Sequence, residues 1–387
     1  MNAHGTPLLP ADLMKNWLLW QAQKQDKNIE QLYNNYWRAF DKDPQYWRAK
    51  IGTGHASRAR VDTFLQYWLT RRTQKPIATK HLYDQFLRHV APVKDHDKID
   101  IAAIMADVKG DSDRFFVMDK PQGAGRLETF FRRLKVMDVS VFYPFLLELT
   151  GRKGSPAADR KAIAEYLESY LVRRMVCGEQ TRGYGTLVLA LLDTIHQVDP
   201  EKPAAPSIKT FLAELSEADW WPDDKAFESN WLTRKFYGGL RRERVAMILQ
   251  AIEEQYHRDS SKSEPIVQFD FSTLQIEHIL PQEWEKHWPL AKNDPHGVNR
   301  MQHLHGIGNL TLVSHKLNPS LSHAAWLDED KGGKIKKGKR SALKEHSKLQ
   351  MNACLISKYS KRWDESKIDE RAVELFSVAR TIWSSPE

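Results

Sequence analysis

Ile276-Glu277-His278-Ile279-Leu280-Pro281-Gln282, then Gly308-Asn309-Leu310-Thr311-Leu312 and Lys316-Leu317-Asn318, are the stretches that decide how this chain is read. An acid and a histidine stand side by side at the end of one apolar run. Two asparagines, nine positions apart, lie on a second run. Ordinary core packing has no use for that combination. Residues 274–279 and 309–313 are expected as short strands joined by a long loop. Neighbouring side chains on a strand point to opposite faces. Glu277 and His278 therefore share a site only if the strand ends there, and Pro281 fits a strand that stops and turns away.

Cutting a phosphodiester needs an activated water and a means of holding charge on the phosphate and the leaving oxygen. Histidine suits the base role because its ordinary pKa lies near working pH. A divalent cation stabilises the developing charge. The carboxylate beside the histidine offers it one oxygen ligand, and an asparagine oxygen arriving from the second run would complete the cup.

On these residues, 276–318 resemble the ββα-metal nuclease motif, the HNH family. The resemblance implies that His278 is the general base and that Glu277 is the first metal ligand. It implies that Asn309 belongs to the catalytic group by bracing the loop that orients the base, and that Asn318 is the second metal ligand. Residues 276–383 are similar, more specifically, to the C-terminal nuclease domain of GmrSD-like modification-dependent restriction and phage-defence proteins. The stretches that carry this are Glu277-His278-Ile279-Leu280-Pro281-Gln282-Glu283-Trp284, Gly308-Asn309-Leu310-Thr311-Leu312 and Lys316-Leu317-Asn318-Pro319-Ser320-Leu321-Ser322, with Trp363, Arg371 and Trp383. The preceding helical region, from Leu9-Pro10-Ala11-Asp12-Leu13-Met14-Lys15-Asn16 onward, resembles the linker and middle part of the same proteins.

The implied activity is a metal-dependent DNA endonuclease or nickase leaving 5′ phosphates, the effector of a bacterial anti-phage restriction system. Glu277 and Asn318 are hard oxygen donors, so Mg²⁺ is the expected cofactor and Mn²⁺ is expected to substitute. A histidine at the third position would have favoured Zn²⁺ or Ni²⁺. The family's Asp-Gly-Gln-Gln-Arg-like nucleotide-processing motif does not occur, and no P-loop replaces it. Recognition of modified phage DNA is therefore expected from a missing N-terminal sensor domain or a partner subunit.

Further candidates surround this core. His303 and His305, just before the second strand, are expected near phosphate. Lys331, Lys334, Lys336, Lys337, Lys339 and Arg340 form a basic, glycine-containing run without an acid, expected as a flexible loop that tracks a DNA backbone through counterion release. Such contacts add affinity without sequence preference. Arg132-Arg133, Arg173-Arg174 and Arg241-Arg242-Glu243-Arg244 lie on predicted helices, as a duplex-facing groove or as helix-surface ion pairs.

The chain as a whole sets the bounds. Its 387 residues are enough for two or three domains, and thirteen tryptophans argue against long disorder. The net charge of +8 suits a nucleic-acid partner without requiring one. Cys177 and Cys354 supply neither a disulfide framework nor a Cys-x-x-Cys zinc site, and a cytoplasmic location follows as the expectation. No signal pattern and no membrane-length apolar run occurs, so no membrane partner is expected.

Apolar residues recur at helical spacing up to the polar stretch Asp259-Ser260-Ser261-Lys262-Ser263-Glu264-Pro265. They include Leu13, Trp17 and Trp20, then Phe64 and Trp68, and are expected as core. Residues 267–271 alternate as a strand, and helical patterning resumes near Ala324, around 343–356 and over 368–382. The expected fold is mainly α: a helical domain over 1–262, then an α+β ββα-metal nuclease domain over 263–387 embedded in helices. The alternative function is a DNA-binding or partner-docking subunit with a latent nuclease site. A third is a zinc hydrolase built on the clustered histidines.

Overall fold

A computed structural model describes residues 8–52, 57–90, 99–259, 271–285, 288–290, 292, 294, 296–321, 323–330 and 332–386. It is mainly helical, with three two-stranded antiparallel pairs: β1 (Lys50–Ile51) with β2 (Arg58–Ala59), β3 (Leu274–His278) with β4 (Leu310–Ser314), and β5 (Glu329–Asp330) with β6 (Ile335–Lys336). Among the described residues no helix is long and apolar enough to cross a membrane. The chain divides into two compact units, Met1–Ala164 with Thr181–Phe211 and Glu165–Gln180 with Leu212–Glu387. The expected boundary at 262/263 lies outside the described residues. The units do not follow it, because helices Asp224–Thr233 and Arg242–Asp259 pack with the elements that carry β3 and β4.

In the first unit the helices Arg60–Thr73, Ile101–Asp119 and Tyr143–Gly151 share one core. Phe64, Trp68 and Phe115 fill it. Arg71 ties the three helices together through Asp107 at 2.6 Å, Asp111 at 2.6 Å and Glu148 at 3.1 Å. The aromatic stripes are thus core, as expected, except in the first helix, Pro10–Lys24. There the buried face is Ala11, Met14, Leu18 and Ala22, and Trp20 is exposed beneath the Lys24 ammonium. Small residues at both ends of that face leave room for a neighbouring helix, which a reading weighted toward tryptophans places one step out of phase.

In the second unit Arg173 and Arg174 are fully buried. Arg173 donates to the Trp383 carbonyl (2.7 and 2.9 Å) and the Pro222 carbonyl (3.1 Å), and pairs with Asp224. Arg174 donates to the carbonyls of Trp220, Gln180 and Ala218. Both forks are taken up by backbone oxygens and, for Arg173, the Asp224 carboxylate, so this pair faces no duplex. Glu253, also buried, accepts from Gln350 N at 2.7 Å and Met351 N at 2.8 Å, closing the start of helix Gln350–Lys358 from a distant part of the chain. A carboxylate satisfies the unpaired N–H groups of that terminus and matches its dipole.

The β3–β4 hairpin confirms the two expected short strands, β3 ending one residue earlier and β4 shifted one residue along at both ends. Residues 267–270 of the other expected strand lie outside the described residues, and Phe271 opens a 3-10 turn. The helix expected near Ala324 is a single turn, Asn318–Leu321, and the patterning over 343–356 belongs to two helices, Lys339–His346 and Gln350–Lys358. Helix Glu365–Ile382 lies against the Ile307–Asn309 turn that leads into β4. Arg371, buried on that helix, donates to the carbonyls of Gly308 (2.6 Å) and Leu310 (2.7 Å). Burial pushes its pKa down to about 10.

A Cβ on Gly308 would fall 2.1 Å from the Ile368 carbonyl oxygen, so only glycine permits this approach. Gly308→Ala is predicted to destabilise the protein by about 1–3 kcal/mol, the usual cost of overpacking, read as a lower urea midpoint. An unchanged midpoint would mean that the turn and the helix separate at no cost.

Candidate active site

The site is built at the end of β3. His278 pairs across the hairpin with Leu310, and Glu277 with Thr311. The next residue's N–H, Ile279 N, bonds the Asn309 carbonyl at 2.9 Å, and the Asn309 side chain then takes over. Its Oδ1 accepts from Leu280 N at 2.8 Å and its Nδ2 donates to Leu280 O at 2.9 Å. The same Nδ2 reaches Leu304 O at 2.9 Å, and Trp363 Nε1 donates to Oδ1 at 3.1 Å. Leu280 therefore has both backbone groups occupied by a side chain instead of a partner strand. The ladder stops, and Pro281 leads the chain away.

Glu277, His278, Pro281, Gln282, Glu283, Asn318, Pro319 and His323 line a pocket of about 430 Å³. The structure brings together three of the four sequence-derived residues, Glu277, His278 and Asn318, and places the fourth, Asn309, directly behind them. Asn318 Nδ2 donates to Gln275 Oε1 at 2.6 Å, which leaves its amide oxygen as the donor atom for a cation. Glu277 is held by Lys339, whose Nζ is 2.6 Å from Oε1. Burial pushes the Glu277 carboxyl up, against the pull of the Lys339 charge. Two hard oxygen donors on one wall fit a cation that keeps most of its waters. Among the described residues no three His, Cys, Asp or Glu side chains gather as a metal-binding group.

His278 is 5% exposed. Its Nε2 lies 3.2 Å from His305 Nδ1. Burial, then His305 and Lys339, push its pKa down to about 3, so the imidazole is neutral at neutral pH with a lone pair available. Tyr237 meets the His278 ring edge-on at 4.6 Å and lies parallel to His305 at 5.7 Å. The Arg242 guanidinium stands over Tyr237 at 5.3 Å. Phe236 N and Tyr237 N both donate to the His305 carbonyl, at 3.0 and 3.1 Å. Gly238 makes the turn possible with φ +81°, and a Cβ on Gly239 would meet Lys235 O at 2.0 Å.

The sequence reading did not select Tyr237. Its signal was the Tyr237-Gly238-Gly239 turn ahead of a basic helix start.

The other candidates separate. His305 belongs to the site. His303 does not, since its Nδ1 contacts Asn299 O at 2.6 Å and its Nε2 pairs with Asp369 at 3.0 Å. Lys334, Lys336 and Lys337 are exposed, Lys337 in an ion pair with Glu345. Arg340 is half-buried and donates to Ile356 O at 3.2 Å. Lys331 lies outside the described residues. Lys339 overturns the expectation of a surface loop contact. It is fully buried, donates to Glu277 and to His278 O, and cannot reach a DNA backbone.

Asn309→Ala is predicted to lower stability by about 2 kcal/mol or more, because it strands buried partners of Leu280, Leu304 and Trp363. Chemical denaturation measures the loss, and a variant as stable as wild type would show that the strand end holds without the clasp.

Comparison with known families places this region. Residues 221–378 match the family model of the C-terminal domain of GmrSD restriction endonucleases. The match begins well before β3, so it takes in the Tyr237 turn and helix Arg242–Asp259 as well as the hairpin. No curated protein matches the chain.

Proposed function

We propose that the C-terminal domain is a divalent-metal-dependent, HNH-type DNA endonuclease or nickase. One observation carries the reading. In a restriction-endonuclease domain, Asn309 ends β3 so that His278, Glu277 and Asn318 open on one pocket. His278 is the general base. His305 Nδ1 lies against its Nε2, and in the tautomer that carries the proton on Nε2 the lone pair, and with it the proton-accepting role, is on Nδ1. A water held in the pocket loses its proton there and attacks phosphorus in line with the leaving 3′ oxygen, giving 5′ phosphate ends. Glu277 and Asn318 would hold Mg²⁺ or Mn²⁺, whose chemistry when bound is to stabilise charge on the phosphate and leaving oxygen. Tyr237 and His305 pack around the base and fix its ring.

Other parts of the reading rest on the family. A role in anti-phage restriction, and a preference for modified phage DNA conferred by a sensor domain or partner subunit, follow from the resemblance. Cys177 and Cys354 are both unpaired in the structure, the state a reducing cytoplasm maintains.

His278→Ala is predicted to abolish nicking of supercoiled plasmid, with DNA affinity within about twofold of wild type because the change removes no cation. Undiminished cleavage by this variant would sink the assignment. Retained DNA binding by a wild-type chain that never cleaves, with Mg²⁺ or Mn²⁺ and with or without partner, would favour the docking-subunit reading instead.

Asn318→Ala is predicted to raise the Mg²⁺ concentration for half-maximal cleavage by about tenfold, the scale expected for a weakened ligand shell, and EDTA to stop cleavage altogether. A titration that superimposes on wild type would remove Asn318 from the ligand set.

A further inference from the structure

A lysine ammonium stands beside Glu277. Lys339 is the first residue of helix Lys339–His346 and has no solvent exposure. Its Nζ is 2.6 Å from Glu277 Oε1 and donates to the His278 carbonyl at 2.6 Å. Two features count against an ammonium here. Desolvation is costly, and the start of a helix is its unfavourable end for a cation.

The chain nevertheless builds a firm seat for it. Lys339 N donates to Ala325 O at 2.8 Å, Arg340 N to Trp326 O at 3.1 Å, and Gly338 N to Asp328 Oδ1 at 2.7 Å. A Cβ on Gly338 would come within 2.4 Å of the Leu327 carbonyl, so glycine is required for the two segments to close around the lysine.

We propose that Lys339 is a positioning residue for phosphodiester cleavage, a built-in cation that fixes the Glu277 carboxylate and the His278 backbone together. The proposal rests on the nuclease reading. Its physical content is that two hard oxygens from consecutive residues converge on one Nζ. One bond sets the rotamer of Glu277 and leaves its second carboxylate oxygen for the pocket. The other holds the peptide that carries the base. The arrangement has a cost for metal binding. With Lys339 charged, the pair is close to neutral, and Glu277 attracts a divalent cation less strongly than a lone carboxylate would. Removing the lysine charge should therefore do two opposite things, strengthen cation binding and slow turnover. A lysine that merely supported the fold would move both in the same direction or move neither.

The test compares the full-length wild type with Lys339→Met, checked for folding by thermal melting. Mn²⁺ affinity is measured by electron paramagnetic resonance, and kcat on supercoiled plasmid at saturating Mn²⁺. The expected result is Mn²⁺ binding tighter by about threefold or more with kcat lower by about tenfold or more. Where Lys339→Met does not fold, Lys339→Gln, which keeps a donor without the charge, carries the same two readouts. A folded variant with wild-type kcat, or one that loses Mn²⁺ affinity along with kcat, overturns the proposal alone. A wild-type chain that neither binds Mn²⁺ nor cleaves overturns the nuclease reading and the proposal with it.

Discussion

Asn309 closes on Leu280 from both sides, accepting from its N–H and donating to its carbonyl, and the geometry of the site depends on that clasp. A strand that continued past His278 would send Glu277 and His278 to opposite faces. Asn309 substitutes for the next rung of the ladder and lets the chain leave the sheet with its polar groups satisfied, as buried backbone requires. The clasp is itself held. Trp363 bonds the asparagine oxygen, Arg371 bonds the carbonyls on either side of Asn309, and the absence of a side chain on Gly308 brings helix Glu365–Ile382 into contact. Residues far along the chain are therefore part of the site even though they never face the pocket.

This dependence explains what the sequence reveals. The hairpin was legible because its information is local: an apolar run, an acid–histidine pair, a proline, and an asparagine at the head of a second run. The mainly helical architecture was legible for the same reason, through apolar spacing. Long-range partners were not. Lys339 reads as one member of a basic, glycine-containing run, and nothing nearby says that a carboxylate distant in the chain will claim it. Arg173 and Arg174 read as a surface pair because their acceptors are mostly backbone carbonyls, which every residue has and no pattern advertises. The first helix shows a third limit, since small residues marked its buried face and the large aromatics drew the eye to its side. His303 and His305 are not separable from each other by position alone. The distinction came from Asp369 and Asn299 engaging one ring and His278 engaging the other.

The second unit carries its charges inward. Arg173, Arg174, Arg371, Glu253, Glu277 and Lys339 are all buried. Such groups are poor contributors to stability when compared with apolar residues of the same size, because their desolvation offsets most of the attraction. They do specify one arrangement, since each has few places where its bonds can be met. For a site whose parts come from β3, the turn before β4, the helical turn Asn318–Leu321 and helix Lys339–His346, uniqueness matters more than a few kcal/mol of additional stability.

The pKa of His278 follows from the same environment. Burial and two nearby basic groups hold the ring neutral, which keeps its lone pair available but makes it a reluctant proton acceptor. A DNA phosphate entering the pocket changes that balance, because an adjacent negative charge favours the protonated ring. The base would thus be weak in the free protein and strengthened by the substrate it serves. Lys339, behind Glu277, adds to this directly, since its charge disfavours a proton on the His278 ring. Of the buried cations in this unit, Lys339 is the one that bears directly on the site, through Glu277 and the His278 carbonyl.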